Sequence, residues 1–208
     1  MNDSDLCWMS AFDLAAAIAK KKVSPVEVVD ATLARIDEPK WPSPYDCWRT
    51  IFLGGIAARL ASYLDRRDQI DPGLLPIVEE ATKYPPTKYV EAWFERLAWW
   101  QHARALFERY DLLLTPTVAC PALPIGEFYA TEIGGVRVGR DAGSAFTFIF
   151  NMTGQPAATV PCGFTKAGLP IGLQIIGRRF DDVTVLRASA AFEAARPWAQ
   201  HRPDMGAR

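Results

Sequence analysis

Serine is the residue with which this sequence could perform nucleophilic hydrolysis, but the serine spacing does not favour it. That chemistry needs a nucleophile, a base within hydrogen-bond distance and N–H donors for the oxyanion. Only Ser144 has a glycine beside it, and no serine lies in a G-x-S-x-G elbow. Ser10 and Ser24 are better explained as helix caps. The complete set is Ser4, Ser10, Ser24, Ser43, Ser62, Ser144 and Ser189.

The histidines and cysteines do not form a recognisable site either. His102 and His201 lack a matching cluster of cysteines or acids, so neither a metal nor a cofactor is predicted. The cysteines have no histidine or basic partner nearby in sequence, which favours buried and unreactive thiols. Their wide spacing matches no small disulfide framework and favours a reducing cytoplasm. They are Cys7, Cys47, Cys120 and Cys162.

One polar loop could line a binding cleft. Residues 150–164 read FNMTGQPAATVPCGF, so Asn151, Thr153, Gly154 and Gln155 come immediately before an apolar strand. Polar loops at the start of a strand frequently line clefts. A structural turn whose polar groups satisfy one another accounts for the same residues equally well.

Helical patterns dominate the first half of the chain. Capping signals and apolar spacing predict a helix pair within residues 1–38, followed by the proline-rich junction PKWPSPYD at 39–46. Further helices are predicted from Trp48 to about Asp65, from Asp71-Pro72 onward, and from a Thr87 cap to about Tyr110.

The second half adds strands. Short apolar runs and turn signals predict strands at 111–115, 158–160 and 171–176, and a Gly-Gly hairpin at 133–136. Asp181-Asp182 then caps a last helix that extends through Ala194. Helices followed by mixed strands and helices leave α/β and α+β classes open at this point.

Composition limits the classes of partner. The 208 residues are 50% hydrophobic and 23% charged, with a formal net charge of -1. Such a balance is ordinary for a globular protein and argues against a nucleic-acid or anionic-membrane partner. No apolar run reaches 18 residues, and the N-terminal MNDSDLCW has no basic segment, so neither a membrane span nor a signal peptide is predicted.

Several segments together resemble the amidase signature family, in its stand-alone amidase type. The order, spacing and residues of these segments match that family, and the joint match is highly specific. The segments are YDLLLTPTVACPALPIG (110–126), FNMTGQPAATVPCGF (150–164), GLPIGLQIIGRRFDDVTVLRASAAFE (168–193), RPW (196–198), and the N-terminal DLCWMSAFDLAAAI and SPVEVVDATLARI.

The resemblance implies an α/β fold with a mixed sheet wrapped by helices. It also implies hydrolysis of small-molecule amides without metal or cofactor, by a serine nucleophile, a second relaying serine and a lysine base. Residues 1–38 would be the N-terminal helix pair, 39–46 a junction and 47–208 the C-terminal part of the fold. Asn151, Thr153, Gly154 and Gln155 would line the family's pocket.

The family's catalytic residues have no counterpart in this sequence. Its Gly-Gly-Ser-Ser-Gly-Gly signature is absent, no two serines are adjacent, and no lysine stands in the family's lysine segment. The lysines are Lys20, Lys21, Lys22, Lys40, Lys83, Lys88 and Lys166. The chain therefore resembles an amidase whose central catalytic block, on the order of a whole domain, is missing.

Four hypotheses follow from that gap. The chain is an inactive remnant, or a complementing subunit of a split amidase. Alternatively it is a non-enzymatic interaction module, for example a homo-oligomer, because a lost block would leave apolar faces uncovered. The fourth hypothesis is an error in reading the gene, which sequencing across the codons for residues 36–46 would test.

Overall fold

The computed structural model describes Ala17, residues 20–23 and residues 43–202. The chain divides into two compact units, Met1–Pro42 and Ser43–Arg208, and the elements below belong to the second. The predicted helix pair within residues 1–38 lies almost entirely outside the described residues.

Three helices open the second unit. Helix α1 spans Tyr45–Leu60 and continues as a 3-10 helix over Ala61–Gln69. Helix α2 spans Leu75–Ala81, and the long helix α3 spans Pro86–Arg109. The predicted continuous helix to Asp65 is therefore wrong at its end. The segment after Leu60 buries no side chain, so no apolar face holds it in regular α-helical geometry.

The starts of α2 and α3 also differ from the predictions. Asp71 does not begin α2, since its carboxylate accepts a hydrogen bond from the Gly73 N–H at 2.7 Å in a turn before the helix. Thr87 does not cap α3, because that helix begins one residue earlier, at Pro86. Proline suits the first helical position because its fixed φ is already helical and its missing N–H has no helical acceptor there.

Close packing joins α1 to α3. A Cβ atom added to Gly54 would lie 2.5 Å from Cε2 of the Tyr89 ring, so the absence of a side chain permits this approach. Helix α3 presents a buried stripe of Ala92, Trp99, Ala103 and Phe107 to the interior. The Gly-Gly pair inside α1 thus has a packing role at its first residue.

A three-stranded antiparallel sheet forms the second half. Its strands are β1 (Leu112–Pro116), β4 (Ala157–Phe164) and β5 (Pro170–Gly177), in the order β1-β5-β4. Gln174 of β5 lies opposite Thr115 of β1 and Thr159 of β4. All three predicted strands are present at these positions.

A separate hairpin and a last helix complete the unit. The hairpin pairs β2 (Glu132–Ile133) with β3 (Val136–Arg137), and the two turn glycines have φ values of 59° and 80°, which confirms the prediction. A 3-10 turn (Ala142–Ser144) and helix α4 (Phe148–Thr153) precede β4. Helix α5 (Asp182–Ala195) begins where Asp181 accepts a hydrogen bond from Thr184 N–H at 3.2 Å, as predicted.

The main core of the sheet lies beneath α5. Val160, Ile175 and Val185 are buried together, one from each of β4, β5 and α5. Helices and sheet thus share the unit, in agreement with the predicted α/β class.

Candidate functional site

The predicted pocket loop is partly wrong, because Asn151 and Thr153 lie in helix α4 and only Gly154 and Gln155 follow the helix. Gly154 ends this helix in the left-handed conformation, with φ of 76°, and its N–H donates to the Phe150 carbonyl at 2.9 Å. Glycine is favoured there because it adopts positive φ without a Cβ penalty. The chain then turns through Gln155 and Pro156 into β4.

Two of the four predicted residues come together inside the protein. Thr153 is 1% exposed and Gln155 is 8% exposed. The Thr153 hydroxyl lies in hydrogen-bond contact with both the Ile149 carbonyl, at 2.7 Å, and Oε1 of the Gln155 side chain. The buried Thr153 hydroxyl therefore has one partner within its own helix and a second in the Gln155 side chain, two residues further along the chain.

Asn151 does not join this pair. Its side chain is exposed, while its main-chain N–H donates to the Thr147 carbonyl at 3.1 Å within the helix. The structure therefore separates the predicted set into an exposed Asn151 and a buried Thr153–Gln155 pair, with Gly154 as the turn between them.

Helix α3 and helix α1 hold α4 in place. Arg96 of α3 donates from Nε to the Met152 main-chain carbonyl. On α1, the Trp48 ring stacks on Phe148 with centroids 3.9 Å apart and planes 13° from parallel. These contacts fix the short helix whose end carries the candidate loop.

An arginine network fixes the segment that leads into α4. Arg49 of α1 binds Glu80 of α2 through Nε at 3.0 Å and Nη2 at 2.5 Å, and Nη1 also binds Asp141. The Tyr45 hydroxyl donates to Asp141 at 3.0 Å. The network was not predicted, because its members lie far apart in the chain and no local pattern connects them.

Hydrogen bonds and burial shift the pKa values of three members of this network, Tyr45, Arg49 and Glu80. The hydrogen bonds from Arg49 lower the pKa of Glu80. The same contacts with Glu80 raise the pKa of the Arg49 guanidinium. For Tyr45, burial and the hydrogen bond to Asp141 raise the pKa of the phenol. The network therefore stays ionised at Glu80 and Arg49 at neutral pH and acts as a structural anchor.

The side chains that could act as nucleophiles are not activated. Ser144 is exposed at the end of a 3-10 turn. Cys47 donates from Sγ to the Ala92 carbonyl at 3.3 Å, and burial raises the pKa of its thiol to about 11. Burial also raises the pKa of the Cys162 thiol. Of the three described cysteines only Cys47 is buried as predicted, whereas Cys120 and Cys162 are partly exposed because they lie in a loop and near the end of the sheet.

Neither a metal cluster nor a membrane-spanning helix was found in the part of the chain that the structure describes. Within residues 43–202 and the few described residues before them, His, Cys, Asp and Glu do not gather in threes in a way that could hold a metal ion. The helices of the same residues are too short or too polar to cross a bilayer.

Comparison with known proteins identifies the family. The family model described as Amidase matches residues 13–186. The chain belongs to the amidase signature family. An acylamidase from Rhodococcus erythropolis is 34% identical over 169 residues, which cover 79% of this chain and 35% of that protein. One component of the glutamyl-tRNA(Gln) amidotransferase of Geobacillus stearothermophilus is 43% identical over 98 residues, which cover 47% of this chain and 19% of that component.

Solved structures of related enzymes also match most of this amidase signature chain but only part of their own length. A bacterial aryl acylamidase of the amidase signature family superposes with a TM-score of 0.66 and 28% identity, covering 80% of this chain and 38% of that one. A 6-aminohexanoate cyclic dimer hydrolase gives a TM-score of 0.66 and 26% identity, with coverages of 78% and 37%. The chain thus spans little more than a third of the length of these relatives.

Proposed function

We propose that this amidase signature chain does not hydrolyse amides by itself. The observation that carries the proposal is the absence from the sequence of the family's adjacent serines and of a lysine in its lysine segment. Nucleophilic hydrolysis depends on such a set acting together, and loss of its members removes most of the rate enhancement. Ser144 does not replace the missing nucleophile, since it is an exposed residue at the end of a 3-10 turn and has no second serine beside it.

Activity of the purified chain tests this proposal directly. The chain is assayed with aryl and aliphatic amides, including a nitroanilide, beside a Ser144→Ala variant as the matched control. We expect product release at the no-protein rate for both proteins. Turnover that scales with protein concentration in the parent and disappears in Ser144→Ala would overturn the proposal.

A second proposed function is that of a complementing subunit, which completes an amidase site with another polypeptide. Two observations support it. Leu114 at the edge strand β1 is 54% exposed, and on α3 the apolar side chains Val90, Phe94 and Leu97 are 51%, 69% and 57% exposed. Large exposed apolar surfaces usually mark contact sites. A partner that carries the family's serine signature could bind to these exposed residues of β1 and α3.

In such a complex, Asn151, Thr153, Gly154 and Gln155 would line the substrate pocket. Co-expression with a polypeptide that carries the Gly-Gly-Ser-Ser-Gly-Gly block would restore hydrolysis, and Asn151→Ala or Gln155→Ala would lower it. If both variants hydrolysed the amide at the parent rate, Asn151 and Gln155 would have only a structural role. Failure of co-expression to give any hydrolysis would contradict the complementing function itself.

A non-enzymatic interaction module is the remaining alternative, and homo-oligomerisation is its simplest form. Size-exclusion chromatography with light scattering tests this alternative, since a compact monomer would count against association through the exposed α3 residues.

A cytoplasmic location is part of the proposal. Cys47, Cys120 and Cys162 are free thiols, as suits a reducing compartment.

A further inference from the structure

The outer edge of β1 has no strand partner among residues 43–202. The sheet order is β1-β5-β4, so β1 pairs with β5 on one side only. The side chain of Leu114, in the middle of the strand, is exposed. An open sheet edge presents unpaired N–H and C=O groups and thereby offers a template for another strand. The edge of β1 is therefore a candidate interaction surface.

The register shows which main-chain groups point to this edge. Directly after β1, the Thr117 N–H donates to the Gly172 carbonyl of β5 at 2.9 Å. In an antiparallel pair, residues that bond to the neighbouring strand alternate with residues whose N–H and C=O face away from it. Leu112, Leu114 and Pro116 are the alternate residues of β1. The edge thus offers the N–H groups of the two leucines and the carbonyls of all three residues.

The other free edge of the sheet, on β4, carries features that oppose pairing. Pro161 lies within β4, and the register shifts between Pro161 and Gly163. A proline removes an N–H donor and a bulge bends the strand, and both devices keep sheet edges from pairing. The proline of β1, Pro116, is its last residue, and β1 contains no charged side chain. The edge of β1 therefore lacks such protection.

An exposed apolar stripe runs along the same strand. Tyr110 precedes β1 in extended geometry, with φ of -130° and ψ of 144°. Because side chains alternate along an extended chain, Tyr110, Leu114 and Val118 belong to one face. These three side chains are 41%, 54% and 47% exposed. Helix α5 leaves them uncovered, since the buried core beneath that helix comes from β4 and β5.

We propose that β1 pairs with β1 of a second copy of this chain, antiparallel and about a two-fold axis at Leu114. The Leu114 N–H of each copy donates to the Leu114 carbonyl of the other. The Leu112 N–H of each copy donates to the Pro116 carbonyl of the other. Each Tyr110 then lies opposite Val118 of the other copy, so the two apolar stripes cover one another.

Self-complementarity favours a second copy over an unrelated strand. A two-fold interface requires one surface patch to complement itself. In this register every outward N–H of β1 meets a carbonyl, and every residue of the apolar stripe meets another stripe residue. Like charges do not face each other, because Asp111 lies opposite Thr117 of the other copy, and opposed like charges would destabilise the pair. The pairing names the partner of the interaction module given above as an alternative function, and it rests on that alternative.

The contact surface is small, so the dimer is expected to be weak. The strand has five residues, whereas a standard interface uses roughly 20–30 residues on each side. We therefore expect a dissociation constant on the order of 100 µM, which corresponds to a transient contact. The experiments are accordingly performed on the full chain at about that concentration.

Cysteine cross-linking tests the register. The background replaces every native cysteine except the buried Cys47 with serine. Leu114→Cys then places two thiols opposite each other, at the Cα separation of about 5.5 Å that a disulfide can span. Val118→Cys is the matched control, because its two copies would be about 26 Å apart along the paired strands. Under mild oxidation, Leu114→Cys should form the disulfide dimer at least tenfold faster than Val118→Cys, and equal rates would overturn the proposal.

Light scattering measures the association itself. The mean mass of the parent should rise with concentration from 23.1 kDa towards twice that value. Leu114→Lys places a charge at the centre of the edge and should weaken association at least tenfold. Leu97→Lys, at a similarly exposed leucine of α3, should leave association unchanged. Thermal unfolding of both variants verifies that they fold.

The outcomes distinguish failure of the pairing from failure of the interaction module. A dimer that Leu97→Lys dissociates and Leu114→Lys does not would overturn the pairing through β1 and retain the module. A parent that stays monomeric at all concentrations would overturn both. A chain that associates only with a co-expressed polypeptide carrying the serine signature would assign the edge to that partner and overturn the pairing of two copies.

Discussion

The side chain of Arg96 on α3 donates a hydrogen bond from Nε to the main-chain carbonyl of Met152 on α4. Met152 lies one residue before the end of that helix, where main-chain carbonyls have no N–H donor within the helix. The bond therefore satisfies a terminal carbonyl and holds the helix end that carries Gly154 and Gln155.

We predict that Arg96→Ala destabilises the protein by about 1.5–3 kcal/mol, the typical contribution of a hydrogen bond from a charged group. Urea denaturation followed by tryptophan fluorescence measures the change. Hydrogen exchange of the Gly154 amide, which donates to Phe150 within the same turn, should accelerate in the variant. Exchange at Gly154 that is no faster than in the parent would show that α4 does not depend on this contact.

The adjacent glycines of α1 form a matched pair for testing helix packing. We predict that Gly54→Ala destabilises by roughly 1–2 kcal/mol, because the new methyl would lie 2.5 Å from Cε2 of the Tyr89 ring. Gly55→Ala meets no atom within 4 Å, so it should stabilise by about 0.5–1 kcal/mol through helix propensity. Thermal unfolding of both variants measures the difference. Equal effects at the two positions would contradict the close contact between α1 and α3.

Local sequence signals predicted the strands, the hairpin and the last helix of the second unit, but not the short helix α4. The strand predicted at 111–115 is found at Leu112–Pro116, directly after a helix end, and the Gly-Gly turn at 134–135 requires the positive φ values that are found there. Asp181 lies next to its helix and needs only its own neighbours to act as a cap. Each of these features depends on residues close in sequence.

The features that could not be predicted depend on residues far apart in the chain. Arg49 and Asp141 are 92 positions apart, and Arg96 and Met152 are 56 apart, so no spacing rule connects them. Likewise, the division of the candidate loop into an exposed Asn151 and a buried Gln155 depends on the rotation of α4 against α3. The assignment of these residues to a substrate pocket stays a prediction.

Arg49 should be one of the most sensitive charged positions in the second unit. Its side chain is 12% exposed and joins two carboxylates, so Arg49→Ala would leave Glu80 and Asp141 without their cation. We predict a loss of roughly 3 kcal/mol, at the lower end of the range for broken buried ion pairs, because Glu80 is partly hydrated.

The matched control for this experiment is Arg67→Ala. Arg67 also forms an ion pair, with Glu79 at 3.2 Å, but both side chains are more than half exposed. Exposed pairs contribute at most about 1 kcal/mol, so the control should change stability little. Similar losses in the two variants, measured by urea denaturation, would show that the Arg49 network is no stronger than a surface pair.

Cys47 should react with thiol reagents only after unfolding. It is 1% exposed and its thiol pKa is about 11, so roughly one molecule in a thousand carries the thiolate at pH 8. The variant Cys7→Ser/Cys120→Ser/Cys162→Ser isolates this residue. Its alkylation by iodoacetamide should be negligible in buffer and rapid in denaturant, whereas labelling at the same rate in both conditions would contradict burial of the thiol.

Glu80 should make the protein sensitive to acid. Arg49 lowers its pKa in the folded state below the ordinary value of 4.5, so the folded protein binds fewer protons here than the unfolded chain does. The resulting stabilisation is fully present above the unfolded pKa and is lost as the pH falls through the lower, folded value. Glu80→Gln removes this titration, so its stability should decline less than that of the parent between pH 6 and pH 3.5.

Urea denaturation at several pH values measures this difference, with Glu91→Gln at an exposed position of α3 as the control. The Glu80→Gln variant should be less stable than the parent at pH 7, because Arg49 then lacks one carboxylate, and the two stability curves should converge in acid. Glu91→Gln should follow the parent curve throughout. Parallel curves for the parent and Glu80→Gln would mean that the Arg49 contact does not couple folding to protonation of Glu80.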